Sequence, residues 1–214
     1  LEGSLPSSQL TESTSLGTEV RLEGSGRWAF TNWGALVLGV DQVWDFGSWD
    51  NEDFETGEYL LGMEASVTTT SVFGQLELTF LDERLRFIAG ARMDYHSTFG
   101  LALSPRGGVT YEPWSGTVLR VAAGRAFRSP SLMELYAPPW SRIPPYLTQG
   151  TSTLDPETLW SVDGGVEQRL GPLELRVTGF FTEGDSQIML RLQDDGVERY
   201  LNGSGYRSAG IESE

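Results

Sequence analysis

Trp49-Asp50-Asn51-Glu52-Asp53-Phe54-Glu55 is the densest acidic run in this 214-residue chain. Oxygen donors at close spacing suit a hard cation, and Ca²⁺ takes roughly six to eight of them. Asp50, Glu52 and Asp53 are therefore candidate ligands for a structural Ca²⁺ in an outer loop. The run lacks the spacing and the central glycine of an EF-hand loop, and a charge run is more commonly a solvated surface. A second candidate lies in the segment 126–158, which carries Phe127, Arg128, Tyr136, Trp140, Arg142 and Tyr146, stiffened by Pro138-Pro139 and Pro144-Pro145. Guanidinium charge beside aromatic faces suits an anionic, ring-bearing molecule. Arg128, Trp140, Arg142 and Tyr146 are the candidate ligand contacts. Phe127, Pro130, Leu135 and Tyr136 are expected to pack the base of the segment instead.

Other reactive types are sparse. The chain has one histidine, His96, expected at the rim where a strand ends, and no cysteine. Thiol catalysis, thiolate metal sites and disulfides are excluded. Ser129 and Ser131 sit in no Gly-x-Ser-x-Gly elbow. Gly24-Ser25-Gly26 reads as a turn, since no helix follows it to make a phosphate cradle. No carboxylate pair makes a case for acid-base work, so no enzyme is expected. Thirty acidic against 15 basic residues give a net charge of −15, which repels nucleic acid.

Two-residue alternation dominates the segments that would position these groups. In Leu85–His96 one face carries Leu85, Phe87, Ala89, Ala91, Met93 and Tyr95, and the other Arg86, Ile88, Gly90, Arg92, Asp94 and His96. Ser71–Leu81, Leu173–Thr182 and the stretches around Val20 and Val121 alternate likewise. Such periodicity places alternate side chains on opposite faces of a sheet. Short turns (Leu81-Asp82-Glu83-Arg84, Pro113-Trp114-Ser115-Gly116, Gly171-Pro172) alternate with long connections: Phe46–Gly57, Ser97–Ser104, Ala126–Thr158 and Leu190–Gly205. Outer-membrane barrels show this asymmetry between their two ends. About nine strands are expected, several reaching the nine to eleven residues that cross a bilayer. Aromatics gather where strands end, around Trp28, Phe30 and Trp33, at Trp44, Phe46 and Trp49, and at Tyr111 and Trp114, as in the headgroup layer. A charge facing lipid at mid-membrane costs roughly 2–4 kcal/mol for Arg or Lys. Arg86, Arg92, Arg120, Arg176, Glu77, Glu167 and Glu174 must then face the lumen. Residues 1–15 are Ser/Thr-rich, with neither a basic nor an apolar stretch to make a signal peptide. They are expected to be a polar lead-in, with 16–214 forming part of one barrel domain.

From about Val72 onward a series of motifs carries a resemblance. Phe73-Gly74-Gln75-Leu76-Glu77, Asp82-Glu83-Arg84-Leu85 and Ala89-Gly90-Ala91-Arg92-Met93-Asp94 are followed by Ser104-Pro105-Arg106-Gly107-Gly108-Val109-Thr110-Tyr111. Then come Gly124-Arg125-Ala126-Phe127-Arg128-Ser129-Pro130-Ser131-Leu132-Met133-Glu134-Leu135-Tyr136, Leu154-Asp155-Pro156-Glu157-Thr158 and Gly164-Gly165-Val166-Glu167. Tyr200-Leu201-Asn202-Gly203 and Ala209-Gly210-Ile211-Glu212-Ser213-Glu214 close the series. In order and interval these resemble the middle of the barrel of TonB-dependent outer-membrane receptors.

The resemblance implies an all-β, antiparallel transmembrane barrel, of which this chain holds about nine of 22 strands, with the plug domain absent and the chain cut at both ends. It implies a receptor in the outer membrane of a Gram-negative bacterium, surrounded by outer-membrane lipid. The cargo would be a small-molecule chelate or vitamin, an iron–siderophore complex first and cobalamin second, with TonB engaged through the missing plug. A passive porin explains the alternation equally well but not the Phe-Arg-Ser-Pro-Ser series. A soluble β-rich binding module is the third reading; it requires the face of Leu85, Phe87 and Ala89 to pack in a core.

Overall fold

The computed structural model describes residues 11–53, 59–143 and 146–214, with side chains for 14–52, 62–139 and 147–214. Nine strands form one antiparallel sheet. β1 (Thr11–Thr31), β2 (Gly34–Asp53), β3 (Tyr59–Phe80), β4 (Leu85–His96), β5 (Gly100–Tyr111) and β6 (Thr117–Arg128) pair in chain order. The chain then leaves the sheet for α1 (Leu132–Tyr136), β7 (Trp140–Ile143) and β8 (Tyr146–Gln149). β9 (Glu157–Leu170) returns beside β6 and pairs with β10 (Leu173–Asp185). A second excursion makes β11 (Ile188–Leu192) and β12 (Val197–Asn202), and β13 (Tyr206–Ser213) closes the series against β10. The nine-strand expectation agrees with this main sheet.

The register shows why the two faces differ. Met93 lies opposite Val72 and Leu103, and Val121 opposite Val109 and Gly164, so apolar residues meet apolar residues across the sheet. That apolar face is uncovered: Leu38, Val72, Met93, Tyr95, Leu101, Val121, Val166, Val177 and Ile211 are all exposed. The opposite face holds the buried groups Asp41, Ser71, Asp94, His96 and Glu167. A soluble sandwich would bury the first face and wet the second. Here the arrangement is inverted, as a wall that meets hydrocarbon outside and polar groups inside requires. The soluble-core reading of Leu85, Phe87 and Ala89 fails on this observation. Among the described residues no helix is long and apolar enough to cross a membrane, which says nothing of strands.

All seven charged side chains expected in the lumen lie on the polar face. Arg120 and Arg176 reach Glu167 at 3.1 and 3.4 Å, Arg176 reaches Glu174 at 3.2 Å, and Arg27 and Gln75 both bond Glu77. Tight turns sit at one end. Gly116 has φ +87°, and a Cβ there would stand 2.9 Å from the Arg169 carbonyl oxygen, so only glycine fits that corner.

Several expectations change. Gly24-Ser25-Gly26 is not a turn but mid-strand, with Ser25 opposite Gly39. Pairing begins at Thr11, inside the expected lead-in, where Thr11 faces Asp53. Phe46–Asp53 is strand rather than connection, because β1 and β3 flank it on both sides and supply its backbone hydrogen bonds. The long connections 126–158 and 190–205 also hold structure: β7, β8, β11 and β12 make a second sheet in the order β11-β12-β8-β7. Within it β12 and β8 run parallel, with Val197 opposite Leu147 and Arg199 opposite Gln149.

Candidate functional site

The two long excursions leave the sheet at the end opposite the tight turns and join one another. Leu135, Leu154 and Val67 form a buried cluster, with Ile188 and Tyr200 from the second excursion packed against it. Asn202 accepts the Asp155 amide at 2.9 Å and donates to the Asp155 and Ser186 carbonyls at 2.9 and 2.8 Å. Gly47 allows the approach of α1, since a Cβ there would stand 2.7 Å from Leu132 Cδ1. Leu135 and Pro130 are buried and Tyr136 packs at the cluster's edge. Phe127 meets Phe99 edge-on at 5.9 Å. The four residues expected to pack the segment base do so.

Arg128 locks this base. Its Nε and Nη2 donate to Glu157 at 2.9 and 2.8 Å, and its Nη1 and Nη2 to Glu134 at 3.0 and 3.1 Å. Glu134 also closes a capping box with Ser131, the Ser-x-x-Glu pattern that starts a helix. Glu157 accepts the Ile188 amide at 2.7 Å, tying the first excursion to the second. Arg128, a candidate ligand contact, is held by two carboxylates and so also acts as a structural clamp. Trp140, Arg142 and Tyr146 have backbones in β7 and β8, and their side chains lie outside the described residues. Ser131-x-x-Glu134 matches the local pattern of a capping box, whereas the partnership of Arg128 with Glu157 has no local signal, because 29 residues separate them.

The clamp has a pH signature. Hydrogen bonds from Arg128 hold the Glu157 carboxyl below the ordinary value, against a smaller upward push from burial. For Glu134 burial pushes upward most strongly, but bonds from Arg128 and Ser131 together outweigh it and the net shift is also downward. Arg128 itself is shifted upward by the same bonds. A carboxylate depressed by folding contributes stability above its unfolded pKa and loses it as pH falls through the folded one. The clamp is therefore fully closed above the unfolded value of about 4.5 and loosens as pH falls below it. Amide hydrogen exchange across 129–139 and 186–203 should be flat from pH 7 to about 5, after correction for intrinsic rates, and should accelerate below. Unchanged protection well below that value would refute the clamp.

Only part of the acidic run lies among the described residues. Asp50 and Glu52 lie in β2 as strand residues, and the Asp53 side chain lies outside the described residues. Among the described residues no group of three or more His, Cys, Asp or Glu is placed to hold a metal ion. Asp50 and Glu52, two residues apart in extended backbone, share one face of β2. His96 is buried at the end of β4, stacked on Phe99 at 4.2 Å, with its Nδ1 accepting the Thr98 amide at 3.1 Å.

Deeper on the polar wall a network escaped sequence reasoning. Arg92 donates to Asp94 at 2.7 Å, to Asp41 at 2.8 Å and to Ser71 at 2.7 Å, while the Ser71 hydroxyl donates to Asp94 at 2.6 Å. Both carboxylate side chains are only 2% exposed. Among the described residues, Asp41 Oδ1 and Asp94 Oδ2 have no hydrogen-bond donor. Between this wall and the α1 base lies a recess of about 420 Å³ bordered by Glu19, Arg21, Asp45, Asp94 and Phe127. It meets a second of about 570 Å³ along Glu19, Asp45, Thr69 and Ser129.

Comparison with known proteins agrees with this architecture. A family model described as TonB dependent receptor-like, beta-barrel matches residues 3–214. No curated protein sequence matches the chain. Among solved structures, the siderophore receptor PirA from Pseudomonas aeruginosa superposes with a TM-score of 0.74 at 20% identity, over 94% of this chain and 40% of that one. A mutant of the ferric enterobactin receptor PfeA from the same organism, in complex with enterobactin, gives 0.73 at 16% identity, over 94% and 33%. A double mutant of the Serratia marcescens hemophore receptor HasR, with its hemophore HasA and heme, gives 0.73 at 17% identity, over 95% and 39%. The chain thus spans between a third and two-fifths of the length of these receptors.

Proposed function

Since the chain belongs to the TonB-dependent receptor β-barrel family, we propose that it supplies nine wall strands and two joined outer segments to an outer-membrane importer of iron chelates. The observation that carries the membrane part is the inverted sheet, whose uncovered apolar face spans β1 to β13 while its charged side chains pair on the other face. Hydrocarbon is the solvent that such a face fits. Iron chelates are favoured because PirA is a siderophore receptor, PfeA a ferric enterobactin receptor and HasR a hemophore receptor holding heme. Cobalamin stays the second cargo. The second sheet, β11-β12-β8-β7, lies in the excursions at the end opposite the tight turns and would offer the surface that cargo meets first. TonB would act through a plug lying outside this chain.

Uptake of radiolabelled ferric chelates into receptor-deficient cells carrying the whole receptor tests the reading. Saturable accumulation that stops when a protonophore collapses the inner-membrane gradient is expected. Linear accumulation indifferent to the protonophore would make the barrel a passive pore. Saturable uptake of cobalamin without any ferric chelate would move the cargo to the vitamin.

A further inference from the structure

We infer that the lumenal recess beneath α1 is a binding site for an organic cation, a protonated amine or guanidinium carried by a small solute. The inference rests on the import reading and narrows the cargo's chemistry.

Four carboxylates, Glu19, Asp41, Asp45 and Asp94, stand at or beside this recess against two guanidiniums, Arg21 and Arg92. Both guanidiniums are committed. Arg92 is spent on Asp41, Asp94 and Ser71, and Arg21 stands 3.5 Å from Glu19 and 4.0 Å from Asp41. Asp94 borders the recess, is 2% exposed, and keeps Oδ2 without a donor among the described residues. A buried carboxylate oxygen with no donor is costly, and an N–H-bearing cation relieves it.

The shape of the recess selects the kind of cation. The carboxylates do not converge as metal ligands do, so a bare ion would leave most of its coordination unfilled. An extended organic cation reaches them separately. Phe127 borders the same space and offers an aromatic face or edge to its body. In the joined recess, Met63, Val67 and Leu132 add apolar wall around Asp45 and Glu19. Three guanidiniums nearer the rim are paired in the same way: Arg128 with Glu134 and Glu157, Arg199 with Asp195, and Arg207 with Glu183. The recess itself therefore favours positive charge.

Calorimetric titration of the purified whole receptor with phenylguanidine, and with its neutral counterpart phenylurea, tests the site. Saturable phenylguanidine binding is expected, with phenylurea at least tenfold weaker. Asp45→Asn should weaken phenylguanidine about tenfold. Asp45 makes no ion pair within 4.0 Å among those described, so the Arg92 network and the fold stay intact in that variant. Asp94→Asn, checked for retained heat-modifiable mobility on a gel, should weaken binding as well. Equal binding of both probes, or no loss in either variant, overturns the inference. So does binding seen only after deletion of the polypeptide that fills the lumen, which would assign the recess to a lysine or arginine of that segment. Phenylguanidine binding without ferric-chelate uptake would leave the site standing and remove the iron reading; uptake without phenylguanidine binding would do the reverse.

Discussion

Arg92→Met will lower the barrel's resistance to unfolding by about 3 kcal/mol, the low end of what removing one partner from a buried ion pair costs. The arginine side chain is 35% exposed, which sets the low end, whereas Asp41 and Asp94 are each 2% exposed. Without the guanidinium these two carboxylates share a wall with only the Ser71 hydroxyl to serve them, and Arg21 lies 4.0 Å from one. The arithmetic has a second half. Asp41→Asn and Asp94→Asn combined with Arg92→Met remove all three charges, and most of the loss should be recovered, since neutralising a whole buried network is far milder than orphaning part of it. Urea unfolding of the reconstituted barrel in lipid vesicles reads both numbers. A single variant indistinguishable from the parent, or a triple variant worse than the single one, would show that the network contributes nothing.

Val177→Arg is the second large effect, expected at about 2–4 kcal/mol. Val177 is half-exposed on the apolar face in the middle of β10, opposite Val166 and Ser213. An arginine there must hold its charge in hydrocarbon. One position away, Arg176→Leu should cost only about 1 kcal/mol, because Arg120 and Arg169 still reach Glu167 at 3.1 and 3.5 Å. Two adjacent substitutions with opposite changes in polarity thus differ several-fold in effect. Outer-membrane fractions should hold little of the first variant and near-normal amounts of the second. Equal assembly would mean that the face assignment of β10 is wrong.

Much of the wall was legible in the sequence because one face meets hydrocarbon and the other meets charge, and a two-residue period writes that contrast directly into the chain. Leu85–His96 and Leu173–Thr182 show it residue by residue. Where both faces are wet the contrast vanishes. The outer end of β2, from Asp50 to Asp53, carries only polar residues and reads as a loop, yet β1 and β3 hold it in register. Gly24 and Gly26 carry the composition of a turn, but an added Cβ at either would meet nothing, and neighbouring strands fix the backbone as extended. The site was least legible. Arg128 looked like a free cation because Glu134 and Glu157 reach it only through folding, and Asp45 and Glu19 attract no notice until β1 and β2 place them across from each other.

The parallel contact between β8 and β12 sets an order of assembly. Every neighbouring pair up to β6 is a hairpin closed by nearby residues, so those strands can zip in sequence. Thr148 and Glu198, facing each other in the parallel pair, are 50 residues apart. Their meeting requires β9 and β10 to be already placed, because that hairpin brings the two excursions to the same rim. Closing so long a loop costs entropy that local contacts have not yet offset. The crown over the entrance therefore forms last, and a barrel caught midway through insertion has complete wall strands below an open mouth.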